Sequence, residues 1–135
     1  MLRTLPALLL LAPIAAQAAT PIAGRWLTAD GSGVVTIGAC GAATCGRLTQ
    51  IRKPRPGAAA TDVNNSNPAL RSRPIQGLPI LSGFADKGKD WRGTIYDPRN
   101  GKSYKSIVAR NADGTLAVKG CIAFFCQTQV WTPAR

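Results

Sequence analysis

Residues 91–110 read WRGTIYDPRNGKSYKSIVAR, and this stretch decides the fold class. Over its first six positions, alternation sends Trp91, Gly93 and Ile95 to one face and Arg92, Thr94 and Tyr96 to the other, the period of a strand with its first set turned inward. Asp97-Pro98-Arg99-Asn100-Gly101 follows. Its proline presets φ and its Asn-Gly end accepts positive φ, so the chain reverses there. Lys102 to Arg110 then resumes a strand pattern, and the whole stretch is a hairpin.

The same rhythm extends in both directions. Runs with strand character span Gly24 to Thr28, Gly33 to Gly38, Cys45 to Ile51, Leu78 to Phe84, Thr115 to Gly120 and Cys126 to Thr132, and no stretch sustains a helical period. Asp30-Gly31 and Asp113-Gly114 supply further tight turns. Together with the central hairpin this makes eight strands, each followed closely by the next. Eight antiparallel strands in that order close on themselves and so lose their exposed edges. The expected fold is all-β, an eight-stranded antiparallel up-and-down barrel.

One segment breaks the rhythm. Arg52 to Gly77, between the third and fourth strands, is rich in Pro, Asn and Arg and shows no strand pattern. A structureless stretch of that length is usually functional or disordered. Asp62, Asn64, Asn65, Asn67-Pro68 and Arg71-Ser72-Arg73-Pro74 suit side-chain-stabilised turns and anion contacts. The segment reads either as a lid at the barrel mouth or as a loop whose arginines latch onto backbone carbonyls or Asp62 to cover one barrel end.

The four cysteines form two identically spaced pairs, Cys40/Cys45 and Cys121/Cys126. Each pair flanks a four-residue turn whose ends face one another across a hairpin, the geometry that a disulfide requires. A four-thiolate zinc site is the competing reading, but the spacing stands at the upper limit for zinc ligands and the expected compartment is oxidising. No metal is expected.

That compartment follows from the first residues. Arg3 gives a positive start, Leu5 to Ile14 an apolar core, and Ala16-Gln17-Ala18 a small-residue cleavage site, so residues 1–18 read as a secretory leader and the mature protein as one domain, residues 19–135. The apolar core is broken by Pro6 and Pro13 and is too short to span a bilayer, so no transmembrane anchor is expected. The product belongs in a periplasm or outside the cell. Without Arg3 the chain keeps 16 Lys plus Arg against 6 Asp, a net charge of +10. Such a surface attracts anionic headgroups and acidic polymers, or serves solubility alone; an exported protein seldom meets nucleic acid, so none is expected as partner.

Catalysis has little to work with. The chain contains no His and no Glu, which leaves Asp, Lys or Tyr as the general acid or base and Lys as the partner of any serine nucleophile. Asp97 and Lys102 beside Tyr96 and Tyr104 are first of all parts of a hairpin. No phosphate-cradling loop and no nucleophile elbow is present. The chain reads as a non-enzyme without a cofactor. Trp26, Trp91 and Trp131 are anchors for core or barrel-end packing, or else the wall of a pocket.

The blocks Gly24-x-Trp26, Cys40 with Cys45-Gly46, Asp62, Asn67-Pro68, Leu70-Arg71-x-Arg73-Pro74-Ile75-x-Gly77, Trp91-Arg92-Gly93, Ile95-Tyr96-Asp97-Pro98-x-x-Gly101-Lys102-x-Tyr104, Leu116-x-Val118-x-Gly120-Cys121 and Gln129-x-Trp131 together resemble the exported bacterial family of domain of unknown function 2147. The resemblance covers nearly the whole mature chain and implies a lipocalin-like barrel in the cell envelope. Gly24-x-Trp26 is also similar to the Gly-x-Trp signature of lipocalins, where the Trp closes the barrel bottom beneath an Arg; Arg135 or Arg25 would supply that Arg here. The expected function is a cup for a small apolar or anionic amphipathic molecule. Its candidate contacts are Arg71, Arg73 and Lys102 at the mouth, with Trp91, Tyr96 and Tyr104. The alternative is an interaction module that presents a basic surface and the 52–77 loop to another envelope component.

Overall fold

Strands form where the alternation marks them: β1 (Gly24–Leu27), β2 (Gly33–Cys40), β3 (Ala43–Ile51), β4 (Pro79–Asp86), β5 (Trp91–Asp97), β6 (Lys102–Arg110), β7 (Leu116–Ile122) and β8 (Phe125–Pro133). The computed structural model describes residues 1–135 except 15, 16 and 55, so Ala16 of the expected cleavage site lies outside the described residues. Each strand pairs antiparallel with the next, and β1 pairs with β8 to close the barrel. That last seam is short, with Trp26 opposite Pro133 and Leu27 opposite Thr132. Both cysteine pairs form disulfides as the spacing predicts, Cys40 with Cys45 and Cys121 with Cys126.

The meander gives the barrel two unlike ends. At one, the chain enters β1, leaves β8 and makes the β2–β3, β4–β5 and β6–β7 turns; at the other lie the β1–β2, β5–β6 and β7–β8 turns and the long 52–77 loop. The first end is sealed. Residues 19–23 run beneath it, burying Ile22, and the Trp26 indole N–H donates to the Ile22 carbonyl at 3.0 Å. Trp91 donates likewise to the Thr20 carbonyl at 2.9 Å. The Ala19 N–H meets both carboxylate oxygens of Asp86, at 3.0 and 3.2 Å.

Above this floor Val35, Ile37, Leu81, Phe84, Val108 and Leu116 pack as one cluster with Trp26 and Trp131. Glycine on an inward face sets how closely they pack: a Cβ on Gly93 would stand 2.6 Å from the Phe84 ring, which fills the space that Gly93 leaves.

The arginine over Trp26 is Arg110, its guanidinium carbon 5.3 Å from the ring centre, a cation–π contact. This corrects the expectation of Arg25 or Arg135. Arg25 follows Gly24 on β1 and alternates away from its neighbour Trp26; its guanidinium reaches Gln50 on the outer surface. Arg135 is exposed beyond the end of β8. Arg110 stands two residues after the buried Val108 on β6 and so shares its inward face.

Candidate functional site: a cavity beneath a latched loop

The open half of the barrel is hollow. A cavity of about 550 Å³ reaches from Trp131 up to the β1–β2, β5–β6 and β7–β8 turns, within the size range of small-molecule sites. Its walls are mainly apolar, with Val35, Leu48, Ile80, Ile95, Val118 and Trp131 contributing from different strands. The space traces to small side chains. Gly93, Ser106 and Gly120 stand in register across β5, β6 and β7. Phe84 takes the room beside Gly93, whereas a Cβ on Gly120 would make only an ordinary 3.7 Å contact with Ile95.

The polar groups inside this cup are uncharged, and the charged ones, Asp30, Asp97 and Arg99, stand at its rim. Gln127 and Gln129 line it from β8, Tyr104 from β6 and Tyr96 from β5. The Gln129 carbonyl oxygen accepts the Trp131 indole N–H at 3.1 Å, which leaves its amide NH₂ for another acceptor. Asn100 donates to the Tyr104 hydroxyl oxygen at 2.9 Å, so the phenol proton can turn toward a guest. Charges at the rim are answered locally. Arg99 forks onto Asp97 at 2.9 and 2.8 Å, and Asp30 accepts from Thr28 and Ser32 at 2.9 and 2.7 Å.

The 52–77 loop folds over one side of this end and is fastened by a buried carboxylate. Asp62 is fully buried and accepts hydrogen bonds from Tyr96 at 2.6 Å, Asn65 at 2.8 Å and Arg73 at 3.3 Å. Burial pushes the Asp62 carboxyl up, but the hydrogen bonds from Tyr96, Asn65 and Arg73 outweigh it and hold the group below its ordinary range. Burial and the adjoining Asp62 push the Tyr96 phenol up to about 12. Asn64 donates to the carbonyls of Pro98 and Arg99 at 3.3 and 3.1 Å, tying the loop to the β5–β6 turn. That approach requires glycine at 101, whose φ is +73° and where a Cβ would fall 1.7 Å from the Asn64 carbonyl oxygen. Asn67 caps the 3-10 turn at Pro68–Leu70.

Residues 24–133 match the family described as "Uncharacterized protein conserved in bacteria (DUF2147)". The chain belongs to DUF2147. Among solved structures it is similar to protein HP1028 from Helicobacter pylori, described as belonging to the lipocalin family, with 22% identity, a TM-score of 0.75 and coverage of 87% of this chain and 85% of that one. At that identity the likeness speaks for the fold, and it agrees with the closed eight-stranded barrel. Curated proteins give no match.

In this DUF2147 chain the six sequence-derived contact candidates do not converge. Tyr96 and Tyr104 line the cavity. Arg71 and Arg73 work inside the loop, Arg71 donating to the Asn65 carbonyl at 2.8 Å and Arg73 to Asp62. Trp91 belongs to the sealed end through its bond to Thr20. Lys102 is exposed at the start of β6 and does not line the cavity. Sequence reasoning passed over Gly120, Gln127 and Gln129. Counting back from Trp131 by twos places both glutamines on its inward face, and two amides on a face of that kind are the signal that could have found them.

Proposed function

We propose that this protein is an exported carrier that holds a small, neutral, mostly apolar molecule in the barrel, with its polar end toward Gln127, Gln129 and Tyr104. The observation that carries the reading is the cavity of about 550 Å³ with a mainly apolar wall, uncharged polar groups inside it, and charges confined to Asp30, Asp97 and Arg99 at its rim. The pairing of Arg99 with Asp97, and of Arg71 and Arg73 within the loop, favours a neutral guest over an anionic one. Binding rather than catalysis suits a site whose charged groups are already held, Arg99 with Asp97 and Asp30 by Thr28 and Ser32.

Export is supported from the opposite end. Leu8 to Leu11 of the leader stand 83 to 89% exposed, making no use of the barrel for burial. Ala19, by contrast, is buried with its N–H on Asp86. Cleavage after Ala18 would turn that N–H into an ammonium resting on a carboxylate. The two disulfides fit an oxidising compartment, and among the described residues no helix is long and apolar enough to cross a membrane.

The test uses the mature protein and a neutral naphthylamine fluorophore that brightens in apolar surroundings. Saturable binding is expected, and Gly120→Phe, which fills the cup from a position without backbone strain, is expected to weaken it about tenfold or more while leaving the unfolding temperature nearly unchanged. Absence of saturable binding by the native chain, or full binding by a folded Gly120→Phe variant, would refute the cavity as the site.

A further inference from the structure

We propose that the β7–β8 turn is a lipid-docking tip that seats the open end of the barrel on an anionic bilayer surface. The turn reads Ile122-Ala123-Phe124-Phe125, and three of its four side chains are large, apolar and exposed: Phe124 fully, Phe125 at 73% and Ile122 at 67%. Loop tips are ordinarily polar, because an apolar tip gains nothing in water. This one is also held firmly. The Cys121–Cys126 disulfide cross-links the strands directly beneath it, and Ala123 takes a left-handed turn conformation with φ 52°. A stiff, narrow, aromatic projection suits insertion among headgroups more than it suits a flat protein interface.

Charge identifies the kind of surface. From Lys102 to Arg135 the only acidic residue is Asp113, which lies at the opposite end in the β6–β7 turn. Strands β6 and β7 therefore present cations alone, and β8 carries no charge to answer them. Lys105 sits directly opposite Cys121, and Lys119 precedes Cys121 by two residues on the same face of β7. Lys102 stands at the rim end of β6. Apolar insertion at the tip and lysines flanking its base are the two attractions by which peripheral proteins hold anionic bilayers, each lysine adding modestly and in a salt-dependent way.

The placement matters because Ile122 and Phe125 line the cavity as well as the outer tip. A barrel docked through them would have its mouth against the lipid. The docking proposal itself stands without the carrier reading, since it needs only the tip and the lysines.

Flotation of the mature protein with vesicles of phosphatidylethanolamine and phosphatidylglycerol tests it. Partitioning is expected with these vesicles, less with phosphatidylcholine alone, and less again as salt rises. Phe124→Asp should fold normally, since Phe124 touches nothing in the barrel, and should lower partitioning about tenfold or more; Lys105→Gln with Lys119→Gln should lower it less and flatten the salt dependence. The naphthylamine assay on Phe124→Asp keeps the two proposals apart, because the cavity should bind as before. Failure of the native chain to float, or flotation of Phe124→Asp equal to native, would overturn the docking tip. So would concentration-dependent self-association that Phe124→Asp abolishes without any vesicle binding, which would make the tip a contact between copies.

Discussion

The two ends of this barrel are built from the same eight strands and solve opposite problems. At the sealed end Trp26 fills the barrel, Arg110 covers its ring and the segment carrying Ile22 and Thr20 closes the floor. At the open end Gly120 stands where a larger inward side chain would fill the space, two glutamines face in, and the covering loop is fastened by the buried Asp62 and by Asn64. An eight-stranded barrel is just wide enough to be filled by side chains or to hold one small guest. Strand number sets the space, and a few side-chain volumes decide which half is solid.

If that contrast is right, the ends should fail differently when altered. The largest effect belongs to the sealed end: Trp26→Ala removes the barrel's plug and should cost about 3–5 kcal/mol in denaturant unfolding. A cost below about 1 kcal/mol would mean that the floor is not a stability centre. Asp62→Ala at the open end should cost less, about 1–3 kcal/mol, because it leaves the Tyr96 hydroxyl and the Asn65 amide without their partner. Its effect should also be local, with amide exchange speeding at position 62 and at Ile75 while Val108 and Leu116 stay protected. Uniform loss of protection across both ends would show the loop to be part of the core.

pH sharpens the contrast further. A carboxyl held low when folded contributes stability above its ordinary value of 3.8 that disappears as pH falls, and Asp62 does so at the open end and Asp86 at the sealed end. Acid should therefore loosen both. A phenol raised from 10.0 to about 12 contributes stability below pH 10 that is lost as pH rises through 12, and Tyr96 places that loss at the open end. Loop protection that persists unchanged from pH 9 to 12 would contradict the Tyr96–Asp62 latch.

The strands were legible because alternation is a local signal. All eight appear, β6 with the expected bounds and the others within two residues, and the cysteine pairs follow from hairpin geometry. Arg110 was missed for a different reason: Arg25 lies beside Trp26 in sequence, whereas face-sharing across the barrel depends on register. Arg71 and Arg73 read two ways in the bare sequence, as anion ligands at a mouth or as latches onto backbone carbonyls or Asp62, and the fold takes the second. In the fold their partners are Asn65 and Asp62, six and eleven residues away along an irregular path that no periodicity describes. Hollowness is harder still to read, since Gly93 and Gly120 are alike in sequence and only the position of Phe84 makes one filled and the other empty.

The short seam between β1 and β8 has one more consequence. With Trp26 opposite Pro133, the ribbon of strands is close to a ring whose cut lies at the sealed end. Whatever chain precedes β1 or follows β8, a leader awaiting removal or a fused neighbour, sets out from the side opposite the mouth. Such a layout keeps the mouth and its aromatic tip clear of both chain ends.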